Sequence, residues 1–402
     1  MTQATYRRKP ARDTIVMIIT FLVSAVLIFL GNRYAVSRMT ALDRDPDIYQ
    51  KARVTQVLRR ASAESEAGFV AFSTGVNITF EAELLGGAHE GEVVTAVQNT
   101  DPDFPAQIRD VQAGDRVILQ SIQNLTPEDR IWSLTEYVRT DDLLILGGVF
   151  FALLILFGRG KGFRTIVSLG LTCLAVFLVF IPAVLAGFNI YVWSVLICVF
   201  ITASTLLVVY GACSKTVTSA LGCIGGVLVS GLLTFIMDRV MQLTGMTDEE
   251  SMYLLLLYPE HPIDLRAVIF SAIIIGAVGA IMDVSISISS ALQEIRDTAA
   301  EPSFRLLVRS GFNIGRDMMG TMANTLVLAY IGSALSMVLL LSASADSILQ
   351  LLNREMIVVE ILQALVGSIG ILFTIPLTTL VCALLYTGKR PGRRGESALR
   401  MP

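Results

Sequence analysis

Apolar runs long enough to cross a bilayer recur near residues 14–31, 141–158, 163–186, 188–210, 216–237, 266–290, 321–343 and 357–386. About 20 helical residues span the roughly 30 Å hydrocarbon core, so the pattern predicts about eight transmembrane helices. The short connections GRGKGFR (158–164) and AGFNI (186–190) fold neighbours into antiparallel hairpins. Between the first and second runs the periodicity changes. KARVTQVL, VNITFEAELL, GEVVTAVQ, DRVILQSI and IWSLTEYV are short β-rich segments separated by turn signals such as LLGGAHEG and VQAGDRV. Five such strands predict a small barrel of the OB or SH3-like kind, with Gly114-Asp115 as a tight turn into the fourth.

The predicted organisation is a polytopic α-helical membrane protein carrying a small extracytoplasmic barrel-like domain. Residues 1–31 form a basic tail and an N-terminal anchor, 32–140 the β-rich domain, 141–388 a seven-helix core and 389–402 a basic tail. A cleaved signal peptide would suit Ala35 and Ser37, but the apolar stretch 15–31 is longer than a usual signal core and predicts an uncleaved anchor. A composition of 53% hydrophobic and 16% charged residues, with mean hydropathy +0.66, supports the membrane class.

Charge sets the orientation, because Lys and Arg are retained on the cytoplasmic side. An inside N-terminus puts RRK and Arg12, then Arg159, Lys161 and Arg164, then Lys215, then Arg296, Arg305, Arg309 and Arg316, and finally KRPGRRGESALR in the cytoplasm. The loop 244–264, with five acids and no Lys or Arg, falls outside. Both termini are therefore expected in the cytoplasm of a bacterial cell, and 32–140 outside its membrane. That domain has 16 acids against 11 basic residues, which disfavours a nucleic-acid partner. His89, beside Glu90 and Glu92, has no second His or Cys near it and suggests a solvated loop, not a metal site.

Polar residues inside the apolar runs are the candidate chemistry. Asp283, Ser287, Ser290 and Glu294 fall within about 60° on one side of the sixth predicted helix, in a stripe opening to the cytoplasm. Ser285 and Ser289 lie on the other side, positioned to bond i−4 carbonyls or a neighbouring helix. Ala272, Gly276 and Ala280 form a small-residue ridge that predicts a closely approaching helix. On the seventh helix Asn313, Asp317, Gly320, Thr321 and Asn324 share about 100° of arc, so a cytoplasm-facing cavity between the two helices is expected. Arg316, Asp317 and Glu294 are expected at the membrane interface. The stretch 296–316, starting a helix at Pro302-Ser303, is expected to lie on the membrane surface or cap that cavity. Glu360 and Gln363 on the last helix are second-tier path candidates, with Gly367, Thr374 and Thr378 on the same face. Gly222, Gly226 and Ser230 predict close packing instead of a site.

Enzyme signatures are absent: the chain has no GxGxxG, GxxxxGK[ST], HExxH or strand-flanked GxSxG, and only two histidines, both in exterior segments. The five cysteines, at 173, 198, 213, 223 and 382, contain no CxxC pair and suggest neither disulfides nor a metal centre. No catalysis, metal or cofactor is expected.

The blocks GAVGAIMDVSISISSALQEI and RSGFNIGRDMMGTMANTLVLAYIGS together resemble the paired signature of bacterial YibE/F-like multitransmembrane proteins. The resemblance implies a bacterial cytoplasmic-membrane protein and marks Asp283, Ser287, Glu294, Asn313, Gly315, Arg316, Asp317, Gly320, Asn324 and Thr325 as functional positions. The residues themselves support a transporter or exporter of a small solute or ion, with Asp283 as coupling or substrate carboxylate and Asn324 and Thr321 as polar ligands. The alternative is a non-catalytic envelope scaffold or accessory subunit whose exterior domain binds a partner. Expected partners are the lipid bilayer and either another copy of the chain or a paralogous family member.

Overall fold

A computed structural model describes residues 10–38, 48–62, 76–86, 90–100, 109–123, 130–257, 262–299, 302–344 and 347–387. His89, singled out above, lies outside these. The chain divides into two compact units, one of residues 41–153 and one of residues 1–40 with 154–402.

In the first unit, alternation dictates a barrel. Strands β1 (Tyr49–Ser62), β2 (Val76–Leu84), β3 (Val93–Thr100), β4 (Arg116–Gln123) and β5 (Arg130–Tyr137) close in the order β1-β2-β3-β5-β4. All five predicted strands are present. Ile78, Phe80, Ala82 and Leu84 point inward at every second position and are fully buried with Val117 and Trp132. The parallel pairing of β3 with β5, Ala96 opposite Trp132, completes the five-stranded barrel expected of an OB-type fold. Gly114, at φ 93°, makes the predicted turn. The Asp115 carboxylate fastens it by accepting from the Gln112 amide at 2.9 Å. Only Val138 and Arg139 separate β5 from α2 (Thr140–Ala175), whose Asp141 pairs with Arg116 at 2.6 Å.

The second unit is helical. Its elements are α1 (Pro10–Val36), the remainder of α2, a π-helical turn Val176–Phe180, α3 (Ile181–Leu185), α4 (Ile190–Tyr210), α5 (Ser214–Met241), α6 (Glu249–Leu257), α7 (Leu265–Thr298), α8 (Phe304–Ser333), α9 (Leu335–Ser344), α10 (Ile348–Leu352) and α11 (Glu355–Tyr386). Among the described residues, six helical tracts are long and apolar enough to cross a membrane, or seven if α8 and α9, bent by 60°, count as one span. The chain is thus a multi-pass membrane protein with a small barrel.

Two expectations change. The runs 141–158 and 163–186 belong to one helical tract, Thr140–Leu185, of 46 residues. It is broken at Arg159, whose backbone is non-helical (φ 49°, ψ −129°). Residues eight apart on a straight helix are about 12 Å apart. Here the Leu154 carbonyl oxygen occupies the space where a Gly162 Cβ would sit, so the chain reverses across the Gly158-Arg159-Gly160 turn. The second change concerns 296–316. Among the described residues, no separate helix precedes the seventh span. The apolar period of Leu307, Gly311, Gly315, Met318 and Met322 continues unbroken, and α8 is one helix of 30 residues capped by Ser303.

The core of this unit is α5, α7 and α11 packed through small residues. A Cβ on Gly222 would strike Thr378 Oγ1 and Ser285 Oγ, one on Gly226 would strike Thr374 Oγ1, and one on Gly370 would strike Ser230 Oγ. Close packing at Gly222, Gly226 and Ser230 is as expected from their i,i+4 spacing. The ridge expected at Ala272, Gly276 and Ala280 is more open, and α7 makes its tight contacts through Ala277, Ile281 and Ser285.

Candidate functional site

Helix α11 serves as a ruler for depth. Parallel α7 sets Ala277 beside Gly367, Ser285 3.0 Å from Thr378 and Ser289 3.4 Å from Cys382. The Arg296 guanidinium lies 5.2 Å from the Tyr386 ring centre. Antiparallel α8 sets Gly311 against Thr379, Gly315 against Ile375 and Leu326 against Gly367. Interpolation places Asp283 level with Ile375-Pro376 and Asp317 about half a turn further toward the middle of α11. The two carboxylates therefore share one depth, as the sequence suggested. Arg316 and Asp317 lie level with the central part of α11, and Glu294 lies beside its end.

The side on which each row lies is equally well defined. Ser285 and Ser289 are fully buried; Ser285 donates to the Ser219 carbonyl at 2.8 Å. The α7 row Asp283, Ser287, Ser290 and Glu294 lies about 150° around the helix from that buried face. Asp283 and Glu294 are exposed; Ser287 and Ser290 are half-buried. On α8 the buried face is Leu307, Gly311 and Gly315. Asn313, Asp317, Gly320 and Asn324 lie about 150° from it, and with Arg316, Thr321 and Thr325 they are all exposed. The polar rows border an open face of α7 and α8 and do not enclose the cavity the sequence suggested. Each helix uses its apolar or small face to reach α11, which turns the polar face outward.

Several hydroxyls are already engaged with their own helix. Ser290 donates to the Ile286 carbonyl at 2.6 Å, Thr321 to Met318 at 2.9 Å and Thr325 to Thr321 at 2.8 Å. They retain acceptor capacity only. Toward the start of α7, Gln363 and Tyr330 converge on Gly276. A Cβ there would lie 2.7 Å from the Tyr330 hydroxyl and 3.4 Å from Gln363 Nε2. Gly276 is two turns from Asp283 on the same side of α7, so Gln363 extends the row by about 10 Å. Glu360, one turn before Gln363, is half-buried. The sequence reading missed Tyr330, whose hydroxyl is buried with no hydrogen-bond partner among the described residues. It falls among apolar residues, and only the glycine facing it betrays a polar group there.

An apolar cavity of about 410 Å³ opens between α1, the π turn and α4, lined by Leu27, Gly31, Val179, Trp193 and Phe200 among others. It holds none of the candidate polar residues. The π turn precedes Pro182, whose missing N–H removes one bond of the ladder.

Long apolar helices and a glycine-tight core define a polytopic membrane protein with exposed polar rows on α7 and α8. Residues 146–388 match the model of the YibE/F-like protein family, and the chain belongs to that family. The match covers the helical core from within α2 and leaves α1 and the barrel outside. No curated protein and no solved structure matches the chain.

Proposed function

We propose that this protein is a non-enzymatic transporter of a small solute or ion in a bacterial cytoplasmic membrane. In this reading the chain crosses eight times, with the Thr140–Leu185 tract making two crossings around its break at Arg159. Both termini are cytoplasmic and the barrel is extracytoplasmic, where it would collect or hand over solute. The observation that carries the reading is Asp283: a carboxylate exposed at the centre of a 34-residue apolar helix, at the depth of Asn313 and Asp317, with Gln363 and Tyr330 two turns away. A carboxylate at that depth is costly unless water, a cation or a proton accompanies it. Asp283 would couple or bind, Asn324 and Thr321 would ligate, and Gln363 would extend the path toward the exterior.

The test is flux into proteoliposomes holding wild-type protein or Asp283→Asn, with an imposed proton gradient and a panel of ions and small solutes. Wild-type flux lost in a variant of unchanged thermal stability supports transport. No flux from either, with a large stability loss in the variant, would make Asp283 a structural residue and favour the scaffold.

A further inference from the structure

Helix α8 presents a row of strongly polar side chains level with the middle of α11, and all of them are exposed. Lipid is a poor partner for Asn, Asp and Arg at such depth. The row has the spacing of an interhelical seam: Asn313, Asp317, Gly320 and Asn324 follow one another at intervals of four, three and four, continued by Val327 and Ile331. Gly320 has open space where its Cβ would project, so none of the described residues requires a glycine there. It clears the backbone for an incoming helix.

We infer that a second copy of this chain packs its α8 against this row, forming a parallel two-fold seam that closes the outward polar face. The inference rests on the proposed transport reading and completes its site. Copies inserted in one orientation are related by a two-fold axis normal to the bilayer, so their α8 helices run parallel and like positions meet. Asn313, Gly320 and Asn324 occupy the seam centre, where asparagines pair with their counterparts and glycines allow close approach. Arg316 and Asp317 flank the centre on opposite sides, by about 60° and 40°. Under two-fold symmetry each flank faces the other flank of the second helix. Arg316 of one copy therefore meets Asp317 of the other, one residue apart in height. The row is charge-complementary to itself only in this arrangement, which selects a second copy over an unrelated helix.

Full-length protein with the exposed Cys173 replaced by Ser is tested in native membranes, with one new cysteine at Gly320 or Asn324 and an oxidant or short bismaleimide. A doubled-mass product is expected at both positions and not at Leu232→Cys on the lipid-facing side of α5. Arg316→Asp or Asp317→Arg alone should cut crosslinking severalfold, and the double reversal should restore it. Crosslinking indifferent to these reversals, or no crosslinking with Gly320→Cys labelled by a membrane-impermeant thiol reagent, would overturn the seam. Crosslinking at Gly320→Cys together with no flux from the wild-type protein retains the seam and sinks the transport reading. Flux from protein that never crosslinks does the reverse.

Discussion

The hydroxyls of Ser285 and Thr378 lie 3.0 Å apart over Gly222, and Ser285 also donates to the Ser219 carbonyl on the third helix of the contact. One serine thus ties α7 to both α5 and α11. Gly222→Ala would drive a methyl into both hydroxyls, and it should destabilise the protein by about 1–3 kcal/mol, the usual cost of overpacking. Thermal unfolding of the full chain in detergent would show it; an unchanged midpoint would mean the three helices yield more easily than this packing implies. Ser285→Ala should cost less, about 0.6 kcal/mol, typical of interhelical hydrogen bonds in membranes.

The start of α11 is clasped to the loop after α5. Glu355 accepts from the Thr244 and Gly245 amides at 2.7 and 2.6 Å and from the Thr244 hydroxyl at 2.7 Å. Glutamine keeps the shape but only one oxygen. Glu355→Gln should cost about 1–3 kcal/mol and raise hydrogen exchange at 243–246. Exchange unchanged there would refute the clasp.

In the barrel, the Tyr137 hydroxyl donates to the Arg109 carbonyl at 2.5 Å. Burial pushes its phenol upward, and the nearby Asp115 carboxylate adds to this. The folded state therefore holds this proton more tightly than the unfolded chain. That contribution is complete below the ordinary phenol value of about 10 and fades as pH climbs through the raised one. Trp132 emission, followed on a Trp193→Phe background, should report an alkaline loss of barrel stability that Tyr137→Phe lessens. An identical alkaline profile in that variant would assign the loss elsewhere.

Tyr330→Phe removes a buried hydroxyl that has no hydrogen-bond partner among the described residues. Stability should hold or rise, by up to about 1 kcal/mol, because no hydrogen bond to protein is broken. If the hydroxyl serves the path beside Gly276, flux falls while the melting midpoint does not. A clear drop in stability would show that it was satisfied after all.

The barrel strands and helix existence were legible because period two and long apolar runs are local signals. The paired depth of Asp283 and Asp317 was legible too, since both follow from residue counts along helices. Which way the polar rows face was not. A helical wheel places Asp283 opposite Ser285, but it cannot say that Ser285 meets Thr378 and Ser219. That depends on α11, some 90 residues later. The continuity of α8 was obscured by Arg305, Arg309 and Arg316, which suggested a surface segment. The glycines that seat this helix, Gly311 and Gly315, signal packing only once Thr379 and Ile375 are known to press on them.

The serine, threonine and glycine row between α5, α7 and α11 leaves no room even for an added methyl at Gly222, Gly226 or Gly370. These three helices must therefore travel as a block. Gly311 and Gly315 seat α8 on α11 just as closely, so α8 belongs to the same block, and the motion of a transporter built this way would come from the helices outside it.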